Sequence, residues 1–159
     1  MAKSPPRRLT IGVISDTHGL LRPEAVRALA GVDRIIHAGD IGGPEILEAL
    51  RMIAPVDAVR GNNDTGPWAR AIPDELTLGI EGVGIRVLHD LKQLDRNRIT
   101  AATAVVIAGH SHRPAVLRQD SVLYVNPGSA GPRRFSLPVT VALLQLAAGT
   151  VEAHIRPIV

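Results

Sequence analysis

Leu9-Thr10-Ile11-Gly12-Val13-Ile14-Ser15-Asp16-Thr17-His18-Gly19 is the stretch on which the fold turns. Its first seven residues are mostly apolar and rich in β-branched side chains, which reads as a buried strand. Two side chains able to bind a metal, Asp16 and His18, stand directly after it. The next segments repeat the scheme. Pro23 opens a helix with Val26, Leu29 and Ala30 at helical spacing and Gly31 as its stop. Residues 33–38 read as a second strand, ending in Gly39-Asp40. Pro44 opens a second helix through about Met52, and residues 56–60 read as a third strand, ending in Gly61-Asn62-Asn63-Asp64. This strand–helix alternation predicts parallel pairing with crossover helices.

Beyond Trp68 the pattern changes. Residues 76–80 and 85–88 flank Glu81-Gly82-Val83-Gly84 and predict a hairpin. Residues 91–103 are polar and predict a helix. Residues 104–108 read as another buried strand, ending in Gly109-His110-Ser111-His112. Residues 116–118, 122–125, 140–146 and 151–156 are further strands, joined by Asp, Gly and Pro turns. With no internal repeat or linker, the expectation is a flexible tail over 1–8 and a single α/β domain over 9–159. That domain is two packed sheets with flanking helices.

The chain has 159 residues, enough to bury a core without a disulfide or structural metal. It contains no cysteine, which excludes disulfides and thiolate metal sites and fits a reducing compartment. One Trp, one Tyr and one Phe leave the core to aliphatic side chains. The longest uncharged run, 137–151, is interrupted by Pro138, Gln145 and Gly149 and is too short to span a bilayer. The polar, proline-bearing N-terminus has no apolar signal segment. These features predict a cytoplasmic protein with no membrane partner. The net charge of +3 is modest, and no basic stripe or stacking aromatics mark a nucleic-acid partner. A homo-oligomer stays open.

Five apolar runs end in residues that can bind a divalent ion: Asp16 and His18, Asp40, Asn62, His89, and His110 with His112. Ligands of open α/β sheets gather beyond the carboxyl ends of strands, so these groups can converge. Asp16 and His18 are two apart, as are His110 and His112; in extended backbone such residues point to one side. Gly39, Gly61 and Gly109 precede three of the candidates, where a crowded centre needs close approach or positive φ. Seven groups exceed what one open site takes, which predicts two ions. Imidazole, carboxylate and amide oxygen suit Mn, Ni, Fe or Zn without choosing among them. Two divalent cations met by Asp16 and Asp40 alone leave a net positive site that favours a phosphate ester, and a metal-bound water with pKa as low as about 7 supplies a nucleophile without serine or cysteine.

Each residue also has a plainer reading. Asp16 and Asp40 sit where helix N-caps occur. Asn62 can be a turn residue, and His110 and His112 can be loop histidines. His37 reads as a core histidine, and His154 receives no role. Asp64 either orients the Asn62 loop or shapes a turn. Residues 126–129 read as a tight turn, and Trp68 as packing.

Taken in order, D-x-H at 16–18, G-D at 39–40, G-N-x-D at 61–64, His89 and G-H-x-H at 109–112 resemble the calcineurin-like metallophosphoesterases. With Asn126-Pro127-Gly128-Ser129, they are similar to the small prokaryotic phosphodiesterase branch. The resemblance implies a four-layer αββα sandwich of two mixed β-sheets. It implies one ion on Asp16, His18, Asp40 and His112 and another on Asp40, Asn62, His89 and His110, with Asp40 bridging. Manganese is the first choice. Asp40, Asn62 and His110 then serve catalysis by positioning the ions and a bridging hydroxide that attacks small phosphodiesters. Larger members carry a histidine after the asparagine that helps the leaving group depart. Asn63 stands there, beside the substrate, and a neutral amide is no general acid, which favours esters with good leaving groups such as aryl phosphodiesters. His89 is followed by Asp90, where a glycine is expected. A different class also belongs to this branch: one eukaryotic relative is a scaffold subunit of the retromer coat with part of its metal set lost. A non-catalytic metal-binding scaffold is therefore the alternative, and the complete set here favours an enzyme.

Overall fold

The computed structural model describes residues 8–159, so the expected tail, apart from Arg8, lies outside the described residues. Ten strands and two short helices follow one another: β1 (Leu9–Ile14), α1 (Pro23–Ala28), β2 (Arg34–His37), α2 (Pro44–Arg51), β3 (Val56–Ala58), β4 (Glu75–Ile80), β5 (Val83–Leu88), β6 (Thr103–Ile107), β7 (Ala115–Gln119), β8 (Val122–Asn126), β9 (Thr140–Ala147) and β10 (Thr150–Pro157). One sheet has the order β10-β9-β1-β2-β3, the other β4-β5-β6-β8-β7. β1, β2 and β3 pair in parallel, as the crossover helices require, and β9 and β10 extend that sheet antiparallel. In the second sheet β5, β6 and β8 are parallel, with β4 and β7 antiparallel at the edges. Both sheets are therefore mixed, as expected.

The period-2 alternation of β1 sends its side chains to two different cores. Ile11 and Val13 join Ile85, Val87, Val105, Ile107 and Val125 in an aliphatic layer shared by both sheets. Ile14 joins Leu29, Ile46, Leu47 and Leu50 beneath the helices. Fully burying each such side chain is worth about 1.5–3 kcal/mol. Pro23 and Pro44 occupy the first turns of α1 and α2, with Glu24 and Glu45 there and Arg27 and Arg51 at the far ends, each complementing the helix dipole. Gly12 lets α1 lie close, since a Cβ there would stand 2.5 Å from Leu29 Cδ2.

The outer face of the second sheet is covered differently from expectation. Residues 91–103 do not form one helix. They form two single 3₁₀ turns, Leu91–Gln93 and Arg96–Arg98. Asp90 and Asp95 each accept the backbone N–H two residues on, at 3.0 Å, and so start a fresh turn instead of continuing a helix. The small third cluster there, Leu88, Val106, Ala108 and Val122, is only partly roofed by Leu94 and Ile99. The 81–84 hairpin is tighter than expected: Glu81 and Gly82, at φ 48° and 77°, form a two-residue turn between β4 and β5. No helix among the described residues is long and apolar enough to cross a membrane.

Candidate metal centre

Every candidate residue lies where a strand gives way to a loop. The structure brings Asp16, His18 and His112 into one group and Asp40, His89 and His110 into a second, with the donor atoms of each group within 4.8 Å of one another. The groups are contiguous. His18 Nε2 lies 3.8 Å from Asp16 Oδ1 and 3.7 Å from Asp40 Oδ2, and His89 Nε2 lies 3.2 Å from Asp40 Oδ2 and 3.9 Å from Asp16 Oδ1. His112 Nε2 lies 3.3 Å from Asp16 Oδ1. Asn62 is exposed and lines the same cavity of about 760 Å³ as His89 and His110.

The convergence of each i, i+2 pair does not come from extended backbone. Asp16, His18, Asp40, His110 and His112 have φ of 57°, 46°, 55°, 70° and 62°, all in the left-handed region. Asp and His tolerate that region better than most residues, and such strain clusters at functional sites. Of the three preceding glycines, Gly39 has φ 99°, and a side chain there would also meet the His89 ring. At Gly61 and Gly109 the constraint is space. A Cβ would collide with Asp40 and with Ser15 respectively.

The polar atoms of this cluster are incompletely satisfied. Among the described residues, Asp16 Oδ1, His18 Nε2, His89 Nε2 and His112 Nδ1 are buried without a hydrogen-bond partner, and Arg34 Nε alone shares that condition elsewhere. Buried polar groups are normally paired, so four orphans in one place point to a missing partner. His89 indicates which kind. Its Nδ1 donates to the Ala38 carbonyl at 2.7 Å, which leaves Nε2 as a lone pair aimed at carboxylates. Acceptors facing acceptors require a cation between them. Burial disfavours charge on His89, but Asp40, the Ala38 carbonyl and Asp16 outweigh it and raise its pKa. Burial likewise opposes charge on both carboxylates and is likewise outweighed. His112, Ser15 and His89 hold Asp16 low, and His89, the Asn63 N–H and His18 hold Asp40 well below the usual range.

Around the donors lies a frame that the sequence revealed only in part. Ser15 Oγ donates to Asp16 Oδ2 at 2.7 Å and the His110 N–H donates to the same oxygen at 3.1 Å, so Oδ1 is the free one. Asn63 is turned toward Asp40, with its N–H 2.9 Å from Oδ1 and its Nδ2 3.0 Å from Oδ2. The exposed residue expected beside the substrate therefore also braces a carboxylate. Asp64 is no simple turn residue. Its buried carboxylate accepts the N–H groups of Ile41, Gly42 and Gly61, tying the Asp40 and Asn62 loops together. Asn126 donates to the Gly109 carbonyl and Ser111 Oγ, and Ser129 Oγ to the Asp16 carbonyl, each at 3.0 Å, so the 126–129 turn braces both histidine-bearing loops. An Asn or Ser after a strand is a weak signal; the sequence marked the 126–129 turn and Asp64 without showing which loops they brace.

Two other expectations are met. His37 is a satisfied core histidine: Nδ1 accepts the Gly39 N–H at 3.1 Å, and Nε2 lies 3.0 Å from Thr17 Oγ1, which donates to the Ile41 carbonyl. Burial pushes its pKa down to about 4. Trp68 packs beneath α2. Asp90, at the expected glycine position, caps its own turn and faces His110 Nε2 at 3.8 Å.

The sequence profile of the calcineurin-like phosphoesterase superfamily domain matches residues 9–149. A probable metallophosphoesterase of Methanothermobacter thermautotrophicus is 34% identical, with 92% of this chain and 91% of that protein aligned. The structure of vacuolar protein sorting 29 from Cryptosporidium parvum superposes with a TM-score of 0.77 at 18% identity, over 94% of this chain and 97% of that one. An archaeal phosphodiesterase superposes with a TM-score of 0.76 at 24% identity, over 93% of this chain and 100% of that one. At these identities the two superpositions speak for the fold.

Proposed function

Because this chain belongs to the calcineurin-like phosphoesterase superfamily, whose sequence profile spans nearly all of it, we propose that it is a metal-dependent phosphodiesterase holding two divalent ions. Asp16, His18 and His112 hold one ion, and His89, His110 and Asn62 the other, with Asp40 shared between them. The observation that carries this reading is the set of four buried, unpartnered polar atoms among the carboxylates and imidazoles. The donor set is hard oxygen plus imidazole nitrogen, which suits manganese, nickel, iron or zinc. Bound ions supply Lewis acidity, activating water and offsetting charge on the phosphoryl oxygens.

The chain's own residues provide the geometry. Ser15 and the His110 N–H fix Asp16 so that Oδ1 faces the centre, and Asn63 fixes Asp40. The Ala38 carbonyl fixes the ring of His89 and leaves Nε2 as its ligand atom. On the open side, Arg70 lines the cavity beside Asn62 and His110 and offers positive charge to an anionic ester, while Arg60 there is paired with Asp74 at 2.9 Å. The general-acid position is filled by Asn63, which is engaged with Asp40, so leaving groups must depart unaided. Aryl diesters are accordingly the best substrates.

The test is hydrolysis of bis-p-nitrophenyl phosphate by purified protein with added manganese or nickel. EDTA is expected to abolish turnover and added metal to restore it. Turnover indifferent to exhaustive chelation refutes the metal mechanism. Stoichiometric metal binding without turnover on any mono- or diester favours the scaffold alternative.

A further inference from the structure

Val106, Tyr124 and Leu117 lie directly opposite one another across β6, β8 and β7, and Ala115 faces Asn126 in the next row. Side chains alternate along a strand, and Val105, Ile107, Leu123 and Val125 point into the layer between the sheets. The opposed row therefore faces outward, on the side where two 3₁₀ turns stand in place of a helix. The result is an apolar groove of about 520 Å³, with Val106 and Ala108 as its floor and Tyr124 and Leu117 along its length. Leu117 is 57% exposed on the fully exposed edge strand β7. One end of the groove is the metal centre itself: His110 and Asp90 line both the groove and the polar cavity beyond. Lys92 and Arg113 border the groove, and neither has a carboxylate within ion-pair distance among the described residues.

Two unlike spaces thus diverge from one wall. The first, with Arg60, Arg70, Asp74 and Glu75, is polar. The second is apolar, with Lys92, Arg113 and Asp90 at its rim. A phosphodiester has the matching form: an anionic phosphorus centre with two ester arms leaving it in different directions. Resting on the phosphodiesterase reading above, we infer that the Val106–Tyr124–Leu117 groove seats an apolar or aromatic ester arm of the substrate. The second arm, polar, lies toward Arg70 and the Arg60–Asp74 pair. The substrate class is an asymmetric phosphodiester of one apolar and one polar alcohol. Continuity with the metal centre selects a substrate arm over a protein segment, because anything lying in the groove abuts His110.

The experiment uses the manganese-loaded protein and a diester series in which p-nitrophenolate always leaves and the second arm is methyl, phenyl or naphthyl. In each reaction the P–O bond to nitrophenolate breaks, a bond from water oxygen to phosphorus forms, and the water proton passes to solvent. KM is expected to fall by about tenfold from the methyl to the naphthyl arm, from apolar area removed from water. Leu117→Asp is expected to bring that ratio to within about twofold, while Val116→Asp, on the opposite face of the same strand, keeps it. A readout independent of turnover comes from NMR titration of the metal-free protein. Diphenyl phosphate is expected to shift Leu117, Tyr124 and Ala115 resonances, whereas dimethyl phosphate leaves them in place. Absence of metal-dependent turnover on every diester overturns the phosphodiesterase reading and this inference with it. Turnover with a KM indifferent to the arm, diphenyl phosphate shifts that bypass the groove, or a second copy of the chain burying Leu117 overturns the groove assignment alone.

Discussion

Asp64→Ala tests the frame that holds the centre. The wild-type carboxylate is 3% exposed and accepts from Ile41 N at 2.9 Å, Gly42 N at 3.0 Å and Gly61 N at 2.9 Å. Alanine removes the acceptor and leaves the donors. Each unpaired buried donor costs about 1–3 kcal/mol. Ile41 N and Gly61 N are buried, whereas Gly42 N is within reach of water, so the sum is about 4 kcal/mol. That is a large share of the roughly 5–15 kcal/mol by which a domain is stable. Asp64→Asn keeps the shape and one oxygen but turns an amide NH₂ toward the donors, for about half that loss. The assay is urea unfolding in EDTA, so that lost metal binding does not enter. With a urea slope of about 2 kcal/mol per molar, the alanine midpoint moves down by about 2 M. Metal affinity, measured by calorimetry, is expected to drop by about 10–100-fold, because the Asp40 and Asn62 loops are no longer tied together. An alanine midpoint within about 0.3 M of wild type refutes the claim that this carboxylate organises both loops.

Three further outcomes are expected. His37, with its pKa lowered from 6.5 to about 4, contributes stability that is present above its unfolded value and lost as the pH falls through the folded one. Urea midpoints should therefore fall between pH 6.5 and 4 by the equivalent of about 3 kcal/mol and then level, and His37→Gln should flatten that slope. Asn63→Ala keeps the backbone N–H bond to Asp40 Oδ1 but loses the one to Oδ2; it should cost about 1 kcal/mol in metal-free unfolding and weaken metal binding by about tenfold or more. Asp40→Asn removes the charge shared by both ions and should lower kcat by at least about 10²-fold on bis-p-nitrophenyl phosphate, and near-normal rates in that variant would show that Asp40 is not shared.

The donors were legible in the sequence because their chemistry is carried by residue type: Asp16, His18, Asp40, His89, His110 and His112 announce themselves at strand ends, and the structure gathers all six. The backbone route was not legible. Two-residue spacing suggested extended loops, whereas Asp16, His18, His110 and His112 lie in the left-handed region, a conformation fixed by tertiary hydrogen bonds such as Asp16 N–H to the Gly39 carbonyl at 3.0 Å. The parallel strands were legible because aliphatic runs alternated with helices. The 91–103 segment was not, because two aspartates capping successive turns resemble a polar helix in composition and differ only in where each side chain bonds. Asn63, Asp64 and Asn126 were underread for the same reason. Short amides and carboxylates in loops serve turns far more often than they brace a distant strand end.

The strained loops also bear on how the centre is assembled. Five of the ten non-glycine residues with positive φ among the described residues stand at this centre, at a cost of about 1–2 kcal/mol each. The chain sustains this through its own bonds: His18 N–H to the Asp40 carbonyl at 2.9 Å, His110 N–H to the Asp16 carboxylate at 3.1 Å, and Gly109 N–H to the His89 carbonyl at 2.9 Å. On the proposed metal-binding reading, strain met on folding is not met again when ions bind, and the donors are preorganised for them. His18→Gly separates the two contributions. Glycine relieves a φ of 46° and removes a buried, unpartnered Nε2, while adding unfolded-chain entropy of about 1 kcal/mol. In EDTA the variant should unfold within about 1 kcal/mol of wild type, unlike an ordinary truncation of a packed side chain. The stabilisation that manganese confers on the wild type should largely disappear. A loss above about 2 kcal/mol in EDTA would mean that His18 serves packing and that its strained backbone is incidental to the ions.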